Sequence, residues 1–232
     1  MPASPGFDIR VLPAGTSAVI AEIIPTGVVD VQAVVHQLDA ALASRPAPAQ
    51  IECVPATQTV LVAFDPLATD HDAVEAHLRT VVPRAITTSP VAHYHDVTAS
   101  YGAEDAPDLR TVAEQTGLSI AEVIKTHSAG DYRVAMYGFA PGYAYLTGVP
   151  EPLRLPRKPT AVPGVPAGSI IIAGPQCLIT TITMPTGWWV IGRTDCQVLT
   201  GDPDRPFLFD VGDGVRFCQT SAQTGGTPEK NE

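Results

Sequence analysis

The chain has 232 residues, 45% of them hydrophobic, and its 24 acidic residues outnumber the 14 basic ones, giving a formal net charge of −10. A surface of this charge repels phosphate backbones and anionic lipids, so we expect neither nucleic acid nor a membrane as a partner. No apolar run reaches the roughly 18 residues of a membrane span, and the N-terminus lacks the layout of a secretory signal, which favours a cytoplasmic globular protein.

The first half of the chain predicts a small α+β domain over residues 7–91. Asp30 can cap a helix whose apolar residues form one stripe, and Thr69 or Asp70 can cap a second amphipathic helix. Short β-rich segments surround these helices, and a final strand is expected near residues 91–94. Two helices among four or five strands indicate an α+β sandwich, for which the ferredoxin-like fold is the candidate.

The second half predicts a mainly-β domain over residues 97–219. It opens with two short helices at 108–116 and 120–127, the second preceded by a capping box of Ser119 and Glu122. Six short β-rich segments follow, at 132–139, 169–173, 177–184, 188–193, 197–200 and 215–219. Short, regularly spaced strands favour a closed or nearly closed barrel, because closure removes exposed edges.

The end of the chain and the cysteines carry little chemistry. Residues 220–232 are polar, and we expect a disordered tail there. The four cysteines are scattered without a C-x-x-C pair, which predicts free thiols and neither a disulfide framework nor a zinc knuckle.

The tryptophan pair at the end of the predicted barrel is unusual. In a regular strand, Trp189, Ile191 and Arg193 would share one face, and Trp188 and Val190 the other. Two adjacent tryptophans then cannot both enter the same core. We therefore expect one to face a pocket, a second domain or a partner, against the alternative that the barrel packs on its own helices.

The histidines give weaker evidence for a functional site than the tryptophan pair does. His93 and His95 have the spacing that places two imidazoles on one face of a strand, but no third ligand follows at metal spacing, so we predict a structural joint without metal. His127 ends a predicted helix, where either a structural role or a site role is open. The motifs of independent nucleotide-binding folds and of serine hydrolases are absent from the sequence.

Six motifs, in order, resemble one family: Tyr101-Gly102 through Asp108-Leu109, Gly138-Phe139-x-Pro141-Gly142-x-x-Tyr145-Leu146, Pro156-Arg157, Val165-Pro166-Ala167-Gly168-Ser169, Gly187-Trp188 with Ile191-Gly192-Arg193-Thr194, and Gly212-Asp213-x-Val215-Arg216-Phe217. This is the family of the 5-oxoprolinase B-subunit, also known as the KipI or allophanate hydrolase subunit 1 family. It is related to one half of the carboxyltransferase domain of urea carboxylase.

The resemblance implies a ferredoxin-like domain followed by a cyclophilin-like barrel. It also implies obligatory work with partners that resemble the C- and A-subunits of 5-oxoprolinase, in the ATP-dependent opening of 5-oxoproline to L-glutamate. The first of these partners is similar to allophanate hydrolase subunit 2. No cofactor is expected on the isolated chain, and ATP is implied only for the assembled complex.

The sequence departs from the family at three places that line the presumed site. Ala161-Val162 stands where many members carry a second Pro-Arg, Gly174 to Thr181 replaces a more glycine-rich stretch, and Met184-Pro185-Thr186 precedes Gly187-Trp188. Another lactam or a ureido compound would fit these differences as well as 5-oxoproline does.

A lactam site needs a cation for the substrate carboxylate and donors for the developing oxyanion. Arg157 and Arg193 are the candidates for the cation, because a guanidinium matches a carboxylate with two parallel hydrogen bonds. No general base is evident in the sequence.

The remaining substrate-binding candidates are neutral. Gln176, Thr180 and Thr194 can supply donors, with Tyr145 and Trp188 as apolar walls. Three function classes stay open at this point: a non-autonomous subunit of the hydrolase, a regulator that inhibits a sensor histidine kinase as one branch of the family does, and a carboxyltransferase-type subunit of a urea or allophanate pathway enzyme.

Overall fold

The computed structural model describes residues 6–82 and 93–220 and divides the chain into two compact units. The first unit is Met1–His93 with Arg133–Phe139 and Phe209–Gly214, and the second is Tyr94–Tyr132 with Ala140–Leu208 and Val215–Glu232. The predicted tail lies outside the described residues from position 221 onward, as does most of the strand expected near 91–94.

The first unit contains a four-stranded antiparallel sheet and two helices. Its elements are β1 (Phe7–Pro13), β2 (Ala18–Pro25), α1 (Val31–Ser44), β3 (Gln50–Pro55), β4 (Thr59–Phe64) and α2 (His71–Val81). The strand order is β1-β2-β4-β3, so the N-terminal strand occupies an edge beside β2. Both helices begin as predicted, because the Asp30 carboxylate accepts from the Ala33 N–H (3.1 Å) and the Asp70 carboxylate from the Ala73 N–H (2.9 Å).

The apolar stripes of these helices are buried. They pack with alternate residues of the sheet into one core, whose largest members are Ile23, Leu38, Leu42, Phe64 and Leu78. The α+β character predicted for this half is therefore present. Its two edge strands are β1 and β3.

The second half forms a seven-stranded sheet, a two-stranded ribbon and two helices. The elements are β5 (Tyr94–Ala99), α3 (Leu109–Thr116), α4 (Ile120–Ser128), β6 (Tyr132–Tyr137), β7 (Ala144–Thr147), β8 (Val162–Val165), β9 (Ser169–Ala173), β10 (Gln176–Ile179), β11 (Met184–Thr186), β12 (Trp189–Arg193) and β13 (Gly214–Gln219). The large sheet has the order β12-β9-β10-β7-β6-β13-β5, and β8 pairs with β11.

Helix α4 begins at the predicted capping box. The Ser119 hydroxyl accepts from the Glu122 N–H (3.2 Å), and the Glu122 carboxylate accepts from the Ser119 N–H (2.8 Å).

Across the described ranges, no helix has the length and apolarity needed to cross a membrane. All four cysteines are free thiols, as predicted.

Several strand predictions were wrong in detail. The segment 177–184 is two strands, because β10 ends at Ile179 and β11 starts only at Met184. Residues 197–200 form no strand and make only one isolated bridge, from Leu199 to Phe207. Two strands, β7 and β8, were not predicted, and each is only 4 residues long.

The sheet nearly closes on itself where β5 meets β12. The N–H of Ser100 donates to the carbonyl of Arg193 (2.7 Å), and the N–H of Arg193 donates to the carbonyl of Ser100 (2.9 Å). Gly192 permits this approach, since a Cβ there would lie 3.0 Å from the Ser100 carbonyl oxygen. This bridge joins the two edge strands and gives the barrel-like form predicted for the second half.

Candidate functional site

Arg193 ends β12 at the closing bridge, with its backbone held on both sides. Its backbone pairs with Ser100 and with Ser169 of β9, whereas its side chain is exposed. Within residues 6–82 and 93–220, no hydrogen bond or ion pair involves the guanidinium. A fixed backbone that presents an unpaired cation is suited to bind an anion from solution.

Three cavities surround Arg193, and it lines all of them. The acidic cavity has a volume of about 530 Å³ and is lined by Asp96, Ser100, Asp105, Thr194 and Asp195 among others. The threonine cavity, of about 180 Å³, is lined by Gly168, Thr180, Thr181, Thr194, Asp195 and Gln197 among others. The small cavity, of about 60 Å³, is lined by Glu104, Asp105, Ser169 and Val190 among others.

The hydroxyl groups of the threonine cavity differ in what they can offer a ligand. The Thr180 hydroxyl donates to the Pro166 carbonyl (2.7 Å) and accepts from the Ser169 N–H (2.9 Å), so its proton is already used. The Thr194 hydroxyl accepts from the Cys196 N–H (3.0 Å) and keeps its proton for another acceptor. Thr194 is therefore the better neutral donor of the two predicted threonines.

Gly168 fixes Thr194 beside Arg193. It adopts φ +83°, and a Cβ on it would lie 2.4 Å from the Thr194 carbonyl oxygen. The Thr194 N–H donates to the Gly168 carbonyl (2.8 Å). Only glycine allows this close pair of backbones, which explains the glycine of the Val-Pro-Ala-Gly-Ser motif.

A β-bulge changes the face on which Arg193 lies. In the pairing of β12 with β9, Val190 opposes Ile171 and Gly192 opposes Ile170, so Ile191 is the extra residue. Arg193 then opposes Ser169. The expectation that Arg193 shares a face with Trp189 was wrong, because the bulge shifts the alternation by one residue and places Arg193 on the side of Val190.

Both tryptophans are covered by the chain itself, contrary to expectation. Each is 6% exposed. Trp188 packs in a core cluster with Tyr143, Leu178 and Val190, while the Trp189 indole N–H donates to the Pro156 carbonyl (2.7 Å). Trp188 directly precedes β12 and packs on the side of Val190, whereas Trp189 begins the strand and lies apart from that cluster, so each ring has its own apolar environment and neither requires a partner.

Arg157, Tyr145 and Trp188 form a second group, which we call the aromatic platform. The Arg157 guanidinium carbon lies 5.6 Å from the centre of the Trp188 ring, and the Tyr145 ring meets Trp188 edge-on with centroids 6.0 Å apart. Arg157 is exposed, whereas Tyr145 is half-buried. None of these three lines the cavities around Arg193.

The backbone beside Arg157 is anchored to β12. The Lys158 N–H donates to the Gly187 carbonyl (2.7 Å), and the Lys158 ammonium lies 2.6 Å from Asp108, whose carboxylate also accepts from the Val190 N–H (2.7 Å). This mostly buried ion pair holds the segment independently of the Arg157 side chain. Asp108 of the Tyr-Gly to Asp-Leu motif is thus a structural residue.

Gln176 is separated from the predicted threonines. It begins β10, whereas Thr180 follows the end of the same strand, roughly 13 Å away at the rise of a β-strand. The structure thus brings together Arg193, Thr194 and Thr180, gathers Arg157, Tyr145 and Trp188 elsewhere, and leaves Gln176 apart.

His127 belongs to a buried cluster that is closed to solvent. Its Nδ1 lies 2.8 Å from the Tyr101 hydroxyl and its Nε2 3.8 Å from the Cys177 sulfur, and it stacks near Phe217. Burial lowers the pKa of His127 to about 3 and raises that of Tyr101 to about 12. All three groups stay neutral at neutral pH, and the cluster is structural.

Sequence reasoning missed Ser100 and Asp105 at the site. Asp105 lies inside the motif that runs from Tyr101-Gly102 to Asp108-Leu109, and this position in a motif was the one feature of the sequence that could have marked it as a site residue. Among the residues described, no three of His, Cys, Asp and Glu are grouped to hold a metal ion, and the metal-free joint at His93 and His95 stays a prediction.

The chain matches known proteins over most of its length. The model of the carboxyltransferase domain, subdomain C and D, matches residues 9–209. The B-subunit of 5-oxoprolinase from Bacillus subtilis is 35% identical over 210 residues, covering 82% of this chain and 84% of that protein. Its counterpart from Escherichia coli O157:H7 is 33% identical over 204 residues, covering 88% and 92%.

Solved structures show the same fold. TTHA0988 superposes with a TM-score of 0.75 at 29% identity, over 91% of this chain and 41% of that one, so the chain spans about two fifths of its length. The urea carboxylase of Kluyveromyces lactis gives a TM-score of 0.72 at 15% identity, over 92% of this chain and 22% of that one, a likeness of fold alone. The chain therefore belongs to the carboxyltransferase subdomain C and D family, within which it groups with the B-subunits of 5-oxoprolinase.

Proposed function

We propose that this chain is the B-subunit of an ATP-dependent 5-oxoprolinase that opens 5-oxoproline to L-glutamate and works only with its partner subunits. The observation that carries the proposal is the identity of 35% over 84% of a relative named for this role. Partners that resemble the C- and A-subunits follow from that name, which describes one subunit among others.

Arg193 is the residue we assign to the substrate carboxylate. Its guanidinium is unpaired within the described ranges and sits between three cavities. Thr194 supplies a hydroxyl donor beside it, and the Thr180 hydroxyl holds the turn from Pro166 to Ser169, with which the backbones of both residues pair. The aromatic platform, with Arg157, is the second candidate for the same carboxylate, and Gln176 is the weakest member of the predicted set.

The chemistry explains why the chain needs partners. A lactam is a stable amide, so its hydrolysis is driven by ATP, most simply through phosphorylation of the carbonyl oxygen. This chain contributes a cation and neutral donors. The sequence carries no nucleotide motif and no evident general base, so we assign ATP binding and water activation to the assembled complex.

The finer description of the fold belongs to the same proposal. We assign residues 7–91 to a ferredoxin-like domain and 97–219 to a cyclophilin-like barrel. The element order β2-α1-β3-β4-α2, with β4 paired between β2 and β3 in the sheet, supports the ferredoxin-like assignment. The nearly closed sheet of the second half supports the cyclophilin-like assignment. We propose a cytoplasmic location, because the proposed reaction consumes ATP, which is supplied inside the cell.

Co-expression with homologues of the C- and A-subunits from the same organism tests the function. We expect a stable complex on size-exclusion chromatography and ATP-dependent release of glutamate from 5-oxoproline, with no activity from this chain alone. A complex that forms and consumes neither ATP nor 5-oxoproline would refute the proposal. Inhibition of a sensor histidine kinase, or activity with a biotin-dependent partner, would then select one of the other two classes.

A further inference from the structure

Charge is distributed unevenly around Arg193. Three acidic residues, Asp96, Asp105 and Asp195, line the acidic cavity together with one basic residue, Arg193. In the threonine cavity the same guanidinium meets only one carboxylate, that of Asp195, among hydroxyl and backbone groups. A ligand that places an anionic group toward the threonines and a hydrogen-bond donor toward the acids would match both sides.

Asp105 stands out among these acids because it is held in place. Its Oδ2 accepts from the Ser100 hydroxyl (2.5 Å), and Ser100 is the residue that bridges to the Arg193 backbone in both directions. Asp105 is half-buried, whereas Asp96 and Asp195 are exposed. Its second oxygen has no described protein partner, so it remains available as an acceptor.

Asp105 and Arg193 also face the same spaces. Both line the acidic cavity and the small cavity, yet they form no ion pair with each other in the described structure. A guanidinium and a carboxylate that share a cavity without neutralising each other form a matched donor and acceptor. Such a pair recognises a small molecule that carries an acceptor and a donor on neighbouring atoms.

We propose that Asp105 accepts a hydrogen bond from the ring N–H of an α-carboxylated lactam while Arg193 holds its carboxylate. In 5-oxoproline the ring nitrogen and the carboxylate are attached to the same carbon, which suits two protein groups positioned by one backbone bridge. This inference rests on the proposed function and names the substrate class of its site: lactams with a free N–H beside a carboxylate.

The same contact suits the product. Ring opening breaks the bond between the carbonyl carbon and nitrogen. One water supplies the new carboxylate oxygen, a second water releases the phosphoryl group taken from ATP as inorganic phosphate, and the nitrogen takes up protons to become the α-ammonium of glutamate. The Asp105 carboxylate then faces a cation in place of an uncharged N–H, so the contact becomes an ion pair with both partners charged and is stronger than before. A ureido compound without a carboxylate would leave Arg193 unmatched.

The test compares two substrates in the reconstituted complex. N-methyl-5-oxoproline keeps the carboxylate and the lactam but lacks the N–H. We expect the wild-type complex to prefer 5-oxoproline in kcat/KM by about 10-fold or more, since a hydrogen bond to a charged group is lost. In Asp105→Ala this preference should fall to nearly one, with 5-oxoproline losing most of its rate.

Matched variants separate the outcomes. Asp8→Ala, an exposed aspartate of the first unit, should keep the wild-type preference, and Asp105→Asn, which still accepts from Ser100, provides a folded variant if Asp105→Ala does not fold. An unchanged preference in both Asp105 variants, or its loss in Asp195→Ala instead, would overturn the inference while leaving the proposed function intact. A wild-type complex without activity on 5-oxoproline would remove the function and the inference together.

Discussion

Two groups of reactive side chains in the second unit, one around His127 and one around Arg193, differ in their access to water. His127, Tyr101 and Cys177 have the residue types of a catalytic cluster, yet His127 and Cys177 are fully buried and each polar atom meets another within the fold. Arg193 and its neighbours face three cavities and leave a guanidinium unpaired within the described ranges. Accessibility, and not residue type, separates the structural group from the candidate site.

The two groups are also neighbours in sequence. Ser100 closes the sheet through its backbone bridge to Arg193, and the hydroxyl of the next residue, Tyr101, is hydrogen-bonded to Nδ1 of His127. The buried cluster thus begins one residue after the bridge that closes the open site. The comparison predicts that variants in the buried group change stability, whereas variants in the open group change activity.

The largest expected effect is on stability, from His127→Ala. Removing the ring leaves a cavity beside Phe217 and takes a partner from the Tyr101 hydroxyl, so we expect the free energy of unfolding to fall by about 3 kcal/mol. Urea unfolding of the full chain measures it, with exposed His93→Ala as the control. If His127→Ala instead lost activity per folded molecule at unchanged stability, His127 would be a residue of the functional site and not a structural one.

In contrast to His127→Ala, Arg193→Lys should lower the activity and leave the stability nearly unchanged. The lysine keeps the charge but loses the planar fork, so a bidentate contact to carboxylate weakens by roughly 1.5–3 kcal/mol, about 10- to 150-fold in kcat/KM of the complex. The melting temperature should change little, since the bonds of Arg193 to the fold are made by its backbone. Arg110→Lys, at an exposed helical position, is the matched control. A large drop in melting temperature with normal activity would make Arg193 a structural residue.

The pH dependence of stability tests the buried group by itself. Burial lowers the pKa of His127 in the folded chain from 6.5 to about 3, so the folded histidine stays neutral while the unfolded one takes up a proton below pH 6.5. Its contribution to stability is complete above pH 6.5 and is lost as the pH falls toward 3, with a slope of up to about 1.4 kcal/mol per pH unit. The difference in unfolding free energy between wild type and His127→Gln should shrink along this range. Parallel pH curves for the two proteins would contradict it.

Local signals in the sequence predicted the helices better than the strands. Asp30, Asp70 and the Ser119 capping box each determine a helix start through bonds made within three residues, so the sequence alone suffices. Strands as short as β7 and β8 gain their order from partners distant in sequence. Their composition could not reveal them.

The site was predictable in its residue types but not in its grouping. Arg193, Thr194 and Thr180 meet because β9 pairs with both β10 and β12, a fact of topology. The bulge at Ile191 reversed the face of Arg193, and no local pattern marks a bulge reliably. Asp105 escaped notice because its importance depends on the closing bridge between Ser100 and Arg193, which joins residues 93 positions apart.

The smallest expected effect, and the one that decides between the two candidate cations, is that of Arg157→Ala. Arg157 is exposed where it contacts the Trp188 ring, so the loss of this contact should cost only about 0.5–1 kcal/mol of stability, and the segment should stay in place through the bonds of Lys158. If Arg193 holds the substrate carboxylate, kcat/KM of the complex should change less than about threefold, well below the loss in Arg193→Lys. Lys158→Met provides the comparison within the segment, since it breaks the ion pair to Asp108 and should destabilise the chain more than Arg157→Ala does. A fall in kcat/KM for Arg157→Ala that matches or exceeds that of Arg193→Lys, at unchanged stability, would place the carboxylate on the aromatic platform and not at the closing bridge.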